Sequence, residues 1–131
     1  MSTAYWCVLA AALLPYAFTW LAKFTGPRRY NNHAPRDYLD QLEGWRKRAH
    51  WAQLNSFEAF APFAAGVIVA QQSAAPQATI DQLAVAFVVL RVVYGAFYVF
   101  DRPALRSGTW SLALACTIGL FLTAAGVIGH A

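Results

Sequence analysis

Residues 4–22 and 108–129 of this chain contain no Lys, Arg, Asp or Glu, and residues 83–100 contain only Arg91. An apolar stretch of about 20 residues is long enough to cross a bilayer as a helix. A chain built mostly of such stretches has few folds open to it. In hydrocarbon every backbone N–H and C=O must be satisfied within the protein, which leaves helices or closed barrels. The unbroken apolar runs read as helix. Composition agrees: the 131 residues are 59% hydrophobic and 12% charged, against roughly a quarter charged in a soluble domain. The sequence therefore predicts an integral, multi-pass, all-α membrane protein of one domain, residues 1–131.

Four spans are expected, at about 4–22, 49–71, 80–100 and 108–129. Tyr5, Trp6 and Trp20 lie near the ends of the first, where aromatic rings favour the headgroup level. Pro15 falls inside it, a break that membrane helices tolerate. Lys23 and a turn at 25–27 close it. The connection from 23 to 48 holds Lys23, Arg28, Arg29, Arg36, Arg46, Lys47 and Arg48. From about residue 36, Tyr38, Leu42 and Trp45 recur at helical spacing. The second helix is accordingly expected to start there and enter the bilayer near Ala49. The second connection, 71–82, has no Lys or Arg, whereas 101–107 is short and basic. The positive-inside rule then places connections one and three in the cytoplasm and both termini outside.

The net charge of +4 resides in two connections rather than on a soluble face, so it is no nucleic-acid signature. Cys7 and Cys116 stand in separate apolar runs and make no metal spacing. His33, His50 and His130 share no helix face that would hold a metal. A cleavable leader is not indicated, because the N-terminus lacks a basic start and a small-residue cleavage site.

The residues that need explaining lie inside the spans. Arg48, Asn55, Glu58 and Pro62 fall along one helix face. Pro62 also leaves the Glu58 carbonyl without its helical donor. Arg91, Tyr94 and Tyr98 share a face of the third span. An unpaired charge at the centre of a membrane helix costs at least about 2–3 kcal/mol, so Glu58 and Arg91 are expected to face inward and bond to each other. That pair could simply fix helix packing, or it could reach a polar ligand. Arg106 and Ser107 stand at the entry of the fourth span, with Ser107 a candidate N-cap. Arginines with one carboxylate, an amide and phenols suit a small zwitterionic, peptide-like ligand, whose carboxylates a guanidinium clamps with two bonds.

The run Arg48-Ala49-x-x-Ala52-x-x-Asn55-Ser56-x-Glu58-x-x-x-Pro62-Phe63 resembles the signature of the MAPEG family, the membrane-associated proteins in eicosanoid and glutathione metabolism. Arg91-Val92-Val93-Tyr94, Tyr98 and Arg102-x-x-x-Arg106-Ser107 extend the resemblance over nearly the whole chain, towards a bacterial branch. It implies an antiparallel four-transmembrane-helix bundle assembled as a homotrimer, with glutathione as cosubstrate between subunits near the cytoplasmic side. Arg48, Asn55, Glu58, Arg91, Tyr94 and Tyr98 would bind the glutathione. Arg106, with Ser107, would activate its thiol towards a lipophilic electrophile or hydroperoxide. A bacterial inner membrane is the location it implies. The chain departs from the characterised enzymes of the family at Leu54, Tyr94 and Trp110, where arginine, histidine and tyrosine are familiar. The rival reading is a non-catalytic binding or structural protein whose Glu58–Arg91 pair only holds helices together.

Overall fold

The computed structural model describes residues 1–26 and 29–129. The turn expected at 25–27 falls partly outside them, as do Arg28 and His130. Among the described residues the structure is helical: α1 (Thr3–Phe24), α2 (Pro35–Asp40), α3 (Gly44–Gln72), α4 (Gln77–Val99) and α5 (Pro103–Ala124). Three of these, α1, α4 and α5, are long and apolar enough to cross a membrane. α3 is the longest at 29 residues, yet Asn55, Glu58 and the cations of its first two turns hold its mean hydropathy down.

Small residues supply many of the helix contacts. Ala4, Ala11, Ala49, Ala52, Ala70, Ala84 and Ala113 are buried, while Trp6, Leu13, Trp20, Val89, Leu112 and Ile118 are exposed. Lipid is as apolar as Leu, so helices in a membrane gain by close backbone approach, and small residues line their contacts. α1 packs on α3 and α4, and α5 packs on α3 and α4. At the centre the rings of Phe63 and Phe87 stack with centroids 3.9 Å apart and planes 5° from parallel. Val67, Ile80, Cys116 and Leu120 surround them. α1 approaches α4 where α4 carries Gly95, and a Cβ built there would fall 1.9 Å from the Phe18 ring.

The helix ends explain three differences from the sequence reading. The second helix does not run unbroken from about residue 36. It is interrupted after Asp40, and Gly44 takes φ +63°, a conformation glycine adopts without steric cost. The break lets Tyr38, Leu39 and Leu42 fold down onto Ala22 and Ala49 as a second apolar cluster. Tyr38 Oη also donates to the Lys23 carbonyl at 3.2 Å. The second connection is shorter than expected, because α4 starts at Gln77. The fourth long helix starts at Pro103 rather than Gly108, since proline at the first helical position loses no hydrogen bond. Ser107 is therefore not an N-cap; it lies in the second turn of α5.

At the opposite end Ser2 caps α1, accepting from the Tyr5 N–H at 3.3 Å. Asp81 Oδ1 accepts from the Ala4 N–H at 2.9 Å and from Gln77 Nε2 at 2.8 Å. Ser2 Oγ donates to Gln71 Oε1 at 2.8 Å. The starts of α1 and α4 and the end of α3 are thus tied by one polar clasp.

Candidate functional site

Arg91 is the organising residue. Its side chain is 2% exposed, in the middle of α4 and against α3. Nη2 donates to Asn55 Oδ1 at 2.7 Å and lies 3.5 Å from Ser56 Oγ. Ser56 Oγ itself donates to the Ala52 carbonyl at 2.7 Å. Arg91 Nε is buried and has no partner. The guanidinium carbon sits 4.1 Å from the centroid of the Tyr94 ring. That contact follows from their i, i+3 spacing on α4.

The chain of contacts continues towards the basic end of the bundle. Tyr94 and Tyr98, one turn apart, meet edge to face with centroids 5.7 Å apart. Arg106 at the start of α5 places its guanidinium 4.5 Å from the Tyr98 ring. Trp51 of α3 flanks the same ring at 6.4 Å. Five of the residues singled out in the sequence, Asn55, Arg91, Tyr94, Tyr98 and Arg106, are therefore joined contact by contact across three helices.

Glu58 does not bond to Arg91 as expected; no ion pair joins them among the described residues. Asn55 lies one turn before Glu58 on the same face and takes the guanidinium instead. Glu58 is left exposed on the outer side of α3. Arg48 lies outside this chain of contacts. Its Nε and Nη2 both donate to the Val99 carbonyl, at 3.2 and 3.0 Å, and so satisfy an orphan acceptor at the end of α4. Ser107 is exposed, and its backbone carbonyl accepts from Ser111 Oγ at 2.9 Å. No contact among the described residues joins it to the cluster.

Two cavities share Asn55 and Glu58 as a dividing wall. One, of about 410 Å³, is completed by Trp51, Leu54, Tyr94 and Tyr98. It is open and adjoins the ring that Arg106 covers. The other, of about 250 Å³, lies between α3, α4 and α5. Asn55, Glu58, Arg91 and Thr117 supply its polar groups, and Pro62, Phe87, Trp110, Ala113 and Leu114 its apolar walls. The sequence reading did not pick out Ser56 or Thr117 as site residues. Ser56 adjoins Asn55 in the same motif, which was a signal; Thr117 offered none in a plain apolar run.

The first cavity can receive a small polar molecule. Tyr94 and Tyr98 offer phenols to it and Glu58 a carboxylate, and the Arg106 guanidinium lies over the Tyr98 ring at its edge. Nearby fixed cations lower the pKa of a thiol and raise its thiolate fraction. An all-helical chain with three bilayer-length helices and a charged cluster enclosed among them is an integral membrane protein with a polar site inside its helix bundle. The family model of the MAPEG family matches residues 3–126. The chain belongs to that family. Comparison with curated proteins and with solved structures returns no match.

Proposed function

We propose that this protein is a glutathione-dependent transferase or peroxidase acting on lipophilic electrophiles or hydroperoxides. The observation that carries the reading is the contact chain from Asn55 through Arg91, Tyr94 and Tyr98 to Arg106, beside an open cavity. Glutathione would lie along it, its ammonium group on Glu58 and its carboxylates on the cationic side chains. An ordinary thiol, with a pKa of about 8.5, is mostly protonated at neutral pH. Arg106 would stabilise the thiolate, helped by the positive end of α5. The thiolate sulfur then attacks the electrophilic carbon of a substrate delivered from the bilayer and displaces its leaving group. With a hydroperoxide the sulfur attacks the terminal oxygen, the O–O bond breaks and the alkoxide leaves and takes up a proton as the alcohol. A second glutathione then converts the resulting sulfenic acid to the disulfide with loss of water.

The same proposal covers architecture. α1, α3, α4 and α5 all cross the membrane as an antiparallel four-helix bundle, with connections one and three cytoplasmic and both termini outside. The bilayer is a bacterial inner membrane. Three copies assemble around the exposed face of α3, where Trp51, Leu54 and Phe57 flank Glu58. This puts a neighbour over the open cavity. The non-catalytic reading draws on the Arg91–Asn55 bond, which ties α3 to α4 whether or not a ligand binds.

Glutathione titration of the detergent-purified protein separates the two. A ligand that binds only the folded state raises stability by RT ln(1 + [L]/Kd). The expected result is a saturable rise in Tm with glutathione and with an analogue lacking the thiol. No rise at millimolar concentration of either would sink the enzyme reading.

A further inference from the structure

The cavity between α3, α4 and α5 shares Asn55 and Glu58 with the open cavity of the thiol site, but the rest of its lining is its own. It holds about 250 Å³. A dry cavity of about 150 Å³ lined by Leu, Ile and Phe takes up benzene, so this one has room for a substituted aromatic ring. Phe87, Pro62, Ala113 and Leu114 would surround such a body. The polar end is specific. Arg91 closes that end, its guanidinium held by Asn55. Asn55, whose Oδ1 is engaged by Arg91, has its amide N–H groups left to offer. Glu58 contributes a carboxylate that no cation pairs among the described residues.

A donor and an acceptor on one wall select a head group that can both accept and donate. A carboxylate head would accept from Asn55 but would face Glu58 as a like charge. A hydrocarbon would leave both of these polar groups without a partner in the cavity. A hydroxyl satisfies both sides: its oxygen accepts from the Asn55 N–H groups while its hydrogen goes to Glu58. The cavity also borders exposed Trp110 and Leu114, so the molecule can arrive laterally from lipid.

We propose that this cavity is a binding site for a compact, neutral, hydroxyl-headed lipophile of the phenol class, held by Asn55 and Glu58 beside Arg91 and enclosed by Phe87, Pro62 and Ala113. It rests on the glutathione reading only in that such a molecule would lie across the Asn55–Glu58 wall from the thiol, as a second substrate or product. Binding itself requires no glutathione.

The test uses the full chain in detergent and three matched probes: 4-propylphenol, 4-propyltoluene and 4-propylbenzoate. All three partition into micelles, so the comparison isolates the head group. The phenol is expected to raise Tm saturably, with a half-effect at least tenfold lower in concentration than either analogue. Ala113→Leu fills the cavity and should abolish the phenol response while the response to thiol-free glutathione persists. Should Ala113→Leu fail to fold, Leu114→Trp narrows the mouth from the lipid side and is expected to weaken phenol binding at least fivefold. Equal potency of phenol and toluene, or no response to the phenol, overturns the proposal. So does wild-type binding by either folded variant. Loss of the glutathione response with the phenol response intact would strike the enzyme reading and leave this site standing.

Discussion

The bundle carries two polar clusters among its helices, and they are built on opposite plans. At the end formed by the starts of α1 and α4, Ser2, Gln71, Gln77 and Asp81 bond to one another and to the first turn of α1. The donors and acceptors of that clasp meet partners of the same chain. The cluster around Arg91 instead leaves one guanidinium N–H unpaired, a carboxylate exposed and two cavities alongside. In low dielectric a satisfied polar network rigidifies, and an incomplete one is costly. A closed network therefore reads as joinery, and an open one as a seat for something that completes it.

The comparison breaks most sharply at Arg106. Arg106→Ala should lower turnover with glutathione by about 100-fold or more, on the scale of losing a charge-stabilising group. Tm should stay within a few degrees of the parent's, because the guanidinium is half-buried and lies over the Tyr98 ring. Steady-state kinetics beside a melting curve decides it; full activity would remove Arg106 from its role. The clasp should behave in reverse. Asp81→Ala strips the acceptor from the Ala4 and Gln77 N–H groups and is expected to cost about 1–3 kcal/mol of stability. Asp81→Asn keeps an oxygen and should recover most of it, and neither change should shift glutathione affinity. Chemical denaturation in micelles measures the stability, and a twofold or larger affinity change would show that the two clusters communicate. Ser107→Ala should be the quietest, altering turnover less than twofold. A larger fall would give Ser107 a part in the proposed reaction beside Arg106.

Long apolar runs made α1, α4 and α5 legible in the sequence, because bilayer length imposes itself on composition. The break before α3 was not legible. Tyr38, Leu42 and Trp45 keep helical spacing through it, and only burial of Tyr38 and Leu42 against α1 and α3 shows why the chain bends at Gly44. The start of α5 was missed because charged residues 101–106 read as loop, although Pro103 was a usable signal for a first helical turn. Within the site, the i, i+3 and i, i+4 spacing on α4 gave the Arg91–Tyr94–Tyr98 face directly. The partner of Arg91 was beyond reach. Asn55 and Glu58 occupy the same face of α3 one turn apart, and choosing between them needs the relative height of two helices, which no local pattern encodes.

The meeting of Gly95 with Phe18 constrains how such a chain can change over time. A methyl group at position 95 would overlap the ring of Phe18, and both residues are buried, so one of them must give way. A descendant that enlarges residue 95 has to move that ring or lose bulk at residue 18. Shrinking residue 18 first opens a void, whereas enlarging residue 95 first crowds α1 against α4. Positions on different helices are in this way inherited as one character, and a designer altering either should treat them as a single choice.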